Sequence, residues 1–286
     1  MQSTKPQNAA QSHKLMVFVL TMSLYGLATL FSELIPSVNV GVVEFSVEYF
    51  LFIPLTLAML LDPLSVALGA ATGELVFSEI MLGQFGGLGE LEKFLTVAIA
   101  VYIAGRMVKD PRNLKMVGIA AITGVSLQLL MGTLVDVLKV QFAVEEFEAV
   151  AGLPESVYFT EGFAFLNDLL FSGILFCLLP TLYLAPRLYG KVEPLMGLKP
   201  RDENTVLRGE PVLSGQVVVL SILGFAVAVG AEFLAESGLT LVDWEAEWAE
   251  SMTAYLIGIG IAVVLAIALI AFLRSRKQKG KVSVND

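Results

Sequence analysis

Apolar residues in this chain come in long runs, and the polar residues gather between them. The runs lie near residues 15–36, 46–61, 64–82, 91–107, 115–138, 162–186, 212–235 and 252–273. A helix needs about 20 apolar residues, at 1.5 Å each, to cross a ~30 Å hydrocarbon core. The pattern therefore predicts an all-α integral membrane protein with about eight transmembrane helices. The second run is the shortest, so 46–82 is either two full spans or a re-entrant pair. Leu61-Asp62-Pro63 favours a tight turn between full spans. Asp62 is a good N-cap, and Pro63 is tolerated at the first helical position, where its missing N–H costs nothing.

Charge sets the orientation of these spans. Sixteen of the 18 Lys and Arg fall on one side: before the first span, between the fourth and fifth, between the sixth and seventh, and after the eighth. Only Lys93 and Lys139 fall opposite. The positive-inside rule then puts both termini in the cytoplasm of a plasma-membrane protein. The chain divides into a polar, disordered tail (1–14), a six-helix bundle (15–190), a cytoplasmic loop (191–211), a two-helix pair (212–273) and a basic tail (274–286). The outer side is acidic, with Glu90, Glu92, Glu145, Glu146, Glu148 and Glu155 in the bundle and Asp243, Glu245, Glu247 and Glu250 before the last span. Such loops are what remains once positive charge is kept inside, or they concentrate cations at an entrance. Trp244 and Trp248 read as an interfacial anchor.

Composition narrows the chemistry. The 286 residues are 56% hydrophobic and 16% charged, with mean hydropathy +0.77, against roughly 45–50% and about 25% for soluble domains. One cysteine, Cys177, excludes an intramolecular disulfide, and the lone histidine is His13 in the N-terminal tail. A zinc, copper or nickel site built on His and Cys is not expected. There is no phosphate-binding loop, no metalloprotease His pair and no nucleophile elbow. The reading is a non-enzyme without a cofactor and without nucleic-acid partners.

The informative residues are the polar ones inside the runs. Ala67/Ala71 and Gly69/Gly73 give the third span small residues at four-residue spacing, which lets helices approach closely. Glu74 follows near mid-membrane, where a carboxylate is costly unless it faces a polar cavity. Glu33, Glu79 and Glu232 lie near outer helix ends and can reach headgroups. Gln128 and Asp136 share one face of the fifth span, and Asn167 and Asp168 sit in the outer part of the sixth. All of these fall in the outer half, which predicts a hollow open outward and shared by Glu74, Asp136 and Asp168. Carboxylates and amides without His or Cys suit Mg²⁺ or Ca²⁺ as well as an organic ammonium. The seventh and eighth spans carry Gly224/Ala228 and Ala254/Gly258/Ala262/Ala266, a pattern for helix or partner packing.

The run IPLTLAMLLDPLSVALGAATGELVF, the glycine-rich segment after it, and LEKFLTVAIAVYIAGRM together resemble the substrate-binding S component of energy-coupling factor (ECF) transporters. The sixth span, FAFLNDLLFSGILFCLLPTLYLAPRL, resembles that family's last helix. The resemblance covers about residues 15–190. It implies an outward-facing vitamin or metal pocket, which maps onto Val42 to Glu48 with Glu44 and Glu48, onto Gln84 to Gly89, onto Asp136, and onto Asn167-Asp168. Glu74, Glu79 and Gln128 complete the candidate substrate site. It also implies a separate transmembrane scaffold with two cytoplasmic ATPases, contacted through small residues for which Gly26, Ala28 and Ser32 are the nearest equivalents. The chain departs from the family in its extra helix pair, its acidic pocket and its lack of the N-terminal histidine motif of nickel and cobalt members. The expected function is capture of a vitamin-like small molecule, cationic or neutral, for import. The alternatives are a stand-alone secondary transporter or channel for cations, and a membrane scaffold or assembly protein.

Overall fold

The turn at Asp62 forms as its sequence dictates. In the computed structural model, the Asp62 carboxylate accepts hydrogen bonds from Ser65 N (3.0 Å) and Ser65 Oγ (2.6 Å), and Pro63 opens the helix that follows. The structure describes residues 5–47, 50–147, 149–150, 152–202, 214–239 and 244–245. Met1–Trp244 form one compact unit and Glu245–Asp286 a second. Apart from Glu245, the second unit lies outside the described residues, and with it the expected eighth span and Trp248.

The protein is mostly helical. Helix α1 is Lys5–Glu33, α2 is Phe52–Leu60, α3 is Pro63–Glu74, α4 is Glu90–Met107 and α5 is Leu114–Gln141. Then come α6 (Val157–Asp168), α7 (Leu179–Leu188), the single turn α8 (Val192–Leu195) and α9 (Gly215–Glu236). Two stretches of wide π-helix continue α helices without a break: Leu75–Ile80 after α3, and Leu169–Leu178 between α6 and α7. The second ends just before Pro180, which has no N–H to close an ordinary helical turn. Among the described residues, four helices are long and apolar enough to cross a membrane: Gln11–Glu33, Leu114–Gln141, Val157–Leu188 and Gly215–Glu236.

Three expectations need correction. The N-terminal segment is helical from Lys5, because Ala9, Ala10, Gln7, Gln11 and Lys14 favour helix and Pro6 sits in the first turn, where it is tolerated. The run at 46–61 contains only nine helical residues, about 14 Å at 1.5 Å each, too short to span. Every residue of α2 from Pro54 to Leu60 is buried, so its continuous apolarity marks a core helix surrounded by protein. Finally, the fold is not purely helical. Strands β1 (Val38–Val40) and β2 (Val43–Phe45) pair antiparallel, Val38 opposite Phe45 and Val40 opposite Val43, across Gly41 at φ 68°. Two-residue strands Gln84–Phe85 and Trp244–Glu245 follow later in the chain.

The tightest packing is between α1 and α3. A Cβ on Gly69 would lie 2.5 Å from the Phe18 carbonyl oxygen, and one on Gly73 would strike the Met22 carbonyl. Residue numbers rise together along the seam, so the two helices run in the same direction. α4 and α9 run oppositely, with Gly224 against Ile99 and Gly89 against Glu232. These directions sort the helix ends. The C-terminal ends of α1, α5, α9 and the π stretch after α3 meet the start of α4 at one end of the bundle. The C-terminal ends of α2 and α4 meet Asp62 at the other.

The second end is closed by Arg201. Its guanidinium donates to Ala58 O (3.0 Å), Gly105 O (3.1 Å) and, more weakly, Val108 O (3.5 Å). These carbonyls sit at the ends of α2 and α4, where the helix leaves them without partners and a cation is favourable. Burial pushes Arg201 down to about 10, with Asp62 and Glu193 opposing that shift, so it stays charged at neutral pH. The Tyr189 hydroxyl donates to Arg201 O at 2.6 Å and anchors the strap that delivers it.

Candidate functional site

At the first end, five elements surround a cavity of about 610 Å³, within the few hundred to 1,000 Å³ typical of small-molecule sites. α1 contributes Thr29 and Glu33. α3 with its π extension contributes Glu74 and Glu79. α4 contributes Glu90, Glu92, Lys93 and Thr96, α5 contributes Gln128, Gly132, Val135, Asp136 and Lys139, and α9 contributes Glu232, Ala235 and Glu236. Gly86 and Gly89 of the glycine-rich segment complete the wall. Eight carboxylates face two ammonium groups, a formal excess of six negative charges.

Local geometry brings these groups together. In an α-helix Glu74 and Glu79 would point well apart. The i→i+5 bonding of Leu75–Ile80 brings positions five apart onto one side, and both line the cavity. Lys93 Nζ lies 3.0 Å from Glu79 Oε1 and 3.5 Å from Glu90 Oε2. Lys139 Nζ reaches Asp136 Oδ1 (3.2 Å), Glu145 Oε2 (3.0 Å) and Glu232 Oε1 (3.3 Å). Glu90 Oε1 also accepts from Gly86 N at 3.3 Å, tying the glycine-rich segment to α4. Three buried acceptors of the cavity lining make no hydrogen bond among the described residues: Glu74 Oε2, Gln128 Oε1 and, apart from its 3.5 Å ion pair with Lys93, Glu90 Oε2. In a low-dielectric setting such atoms are costly unless a donor or water satisfies them.

Glu74, Glu79, Gln128 and Asp136, expected from the sequence, all line this cavity. Asn167 and Asp168 do not. Asn167 Nδ2 donates to Glu44 O at 2.8 Å, and Ser172 Oγ donates to Ser46 O at 3.0 Å. This face of the sixth span therefore holds the β1–β2 hairpin, and the hollow expected to join Glu74, Asp136 and Asp168 omits Asp168. Asn167 instead borders a separate, apolar cleft with Val43, Phe45, Phe163, Leu166 and Phe171. Glu44 is on β2 with its side chain exposed, Glu48 lies outside the described residues, and Gln84 is on the short strand before Gly86.

The residues expected to contact a partner scaffold lie within the bundle's own packing. Gly26 is buried against Phe77 and Gly73, and Ser32 is buried with its hydroxyl donating to Thr29 O at 2.9 Å. Both are taken up by packing within the chain, and Ala28 is half-buried. Sequence reasoning missed Glu90, Glu92, Lys93, Lys139, Glu232 and Glu236 as site residues. The signal available for them was that Lys93 and Lys139 alone broke the charge rule, each amid carboxylates.

Over residues 16–283 the chain matches the Family of unknown function (DUF8171). It belongs to that family. The match takes in the seventh and eighth apolar runs as well as the first six, in keeping with α9 forming a wall of the cavity. No curated protein and no solved structure matches the chain.

Proposed function

We propose that this protein captures a small cationic solute in the acidic cavity and passes it across the membrane, as the substrate-binding subunit of an importer. The observation that carries the reading is the excess of carboxylates over lysines lining one cavity between apolar helices. Such a chamber concentrates cations and rejects anions, and intramembrane carboxylates mark substrate paths. The carboxylate clusters already hold ammonium groups, those of Lys93 and Lys139, which favours an organic ammonium over a bare divalent ion with its close shell of oxygens. In this reading the chain spans the plasma membrane several times with both termini in the cytoplasm. The cavity end then faces outward and the Arg201 end inward, in accord with the sorting of Lys and Arg. Delivery to a scaffold and ATPases of the ECF type rests on the sequence resemblance and on the absence of a phosphate-binding loop.

A stand-alone cation transporter is the second reading. It is favoured by Glu74 Oε2, buried in the cavity wall without a hydrogen-bond partner among the described residues, a group placed to exchange a proton for cargo. Mass spectrometry of small molecules carried by the purified protein tests the first reading, and cations should raise its melting temperature while matched anions do not. Ion-gradient-driven uptake by the protein alone in liposomes would select the second. Failure of every cation to bind would overturn both.

A further inference from the structure

We infer that the cavity is built for a linear di- or polyammonium ligand, gripped at two carboxylate clusters marked by the protein's own lysines. The inference deepens the reading of the cavity as a cation receptor and rests on it. The first cluster is Glu79 with Glu90, around Lys93 Nζ at 3.0 and 3.5 Å. The second is Asp136 with Glu232 and Glu145, around Lys139 Nζ at 3.0–3.3 Å. Each already displays the geometry of an ammonium held by carboxylates, and each keeps more carboxylates than ammonium groups. A single positive charge would leave most of the excess uncompensated, whereas two linked charges serve both clusters at once.

A second observation points the same way. Gln128 is more than nine-tenths buried, lines the cavity, and presents an Oε1 acceptor with no partner among the described residues. Glu90 is equally buried, and its Oε2 makes no hydrogen bond among the described residues beyond the 3.5 Å ion pair with Lys93. An ammonium brings three donors, and orphaned acceptors near the clusters are what those donors would satisfy. The lining also leaves room for a methylene chain. Gly132 has open space where a side chain would project, and Val135 supplies an apolar face.

The test is binding to the purified full-length protein at fixed ionic strength, with 1,4-diaminobutane, spermidine, 1-aminobutane and magnesium chloride as probes. The diamine should bind at least about tenfold tighter than the monoamine, and spermidine tighter still. Glu79→Gln and Glu232→Gln should each cut diamine affinity by more than they cut monoamine affinity. Lys93→Met, which removes a competing built-in ammonium, should strengthen diamine binding, a gain that misfolding cannot mimic. Equal affinities for diamine and monoamine, or weaker diamine binding in Lys93→Met, would overturn the inference and leave the cation receptor standing. Magnesium binding in preference to every amine would also overturn it. Absence of binding by any probe would remove both.

Discussion

Arg201 offers the sharpest test of how the bundle is held at the end away from the cavity. Replacing it with Met removes a buried guanidinium that donates to Ala58 O and Gly105 O at 3.0–3.1 Å. It also strips the counter-charge from Glu193, whose carboxylate is fully buried with both oxygens lacking hydrogen-bond partners among the described residues. Orphaning a buried acceptor costs about 1–3 kcal/mol, and removing one member of a buried charge pair about 3–5 kcal/mol. These effects overlap, and water can reach carbonyls near a helix end, so the total should fall at about 3–5 kcal/mol. The melting temperature in detergent would then drop on the order of 10 °C. Arg201→Lys keeps the charge but cannot span both helix ends with one ammonium, and should lose about half as much. Arg201→Met with Glu193→Gln should be less damaging than Arg201→Met alone, since no charge is left buried by itself. A loss below about 1 kcal/mol in Arg201→Met, or a double variant worse than the sum of the singles, would refute the account.

The other predictions concern the cavity and its supports. Gly73→Ala drives a methyl against the Met22 carbonyl; it should cost about 1–3 kcal/mol of stability and weaken amine binding, because both helices wall the cavity. Glu74→Gln should lower cation affinity about tenfold in a calorimetric titration while leaving the melting temperature unchanged or higher. Asn167→Ala should loosen the β1–β2 hairpin by about 0.5–1.5 kcal/mol, seen as faster hydrogen exchange over 38–46, with amine affinity unaffected. Asp110 is held below the usual carboxylate range by its hydrogen bonds to Arg112. The stability it adds is present above that range and lost as pH falls through its lowered value, so Asp110→Asn should flatten the acid limb of a stability–pH profile.

Much of this was legible in the residues. Asp62-Pro63 specified the turn, and Gly69 and Gly73 specified a close seam, because capping and small-residue packing are local rules. Glu74, Glu79, Gln128 and Asp136 could be chosen because a charge or amide inside an apolar run has few innocent explanations. Asp168 passed the same filter yet belongs to a face whose neighbour, Asn167, pins the 38–45 hairpin, a stretch between the first two apolar runs too short for a pattern to mark. Glu90 and Glu232 looked like residues of helix ends, since only the crossing of α9 over α4 brings Glu232 beside Gly89. The phase of Glu79 depends on a wide turn that periodicity at 3.6 cannot register.

That wide turn makes Glu79 a pointer on a dial. Each α-helical residue advances about 100° around the axis, and the stretch Leu75–Ile80 holds one residue more than α geometry would need. Were the surplus residue to migrate past Glu79, the residues it passed would swivel by about that angle, taking Glu79 away from Lys93 without unfolding a single turn. For the proposed capture and release of a cation, that one loosened coil is a part suited to both.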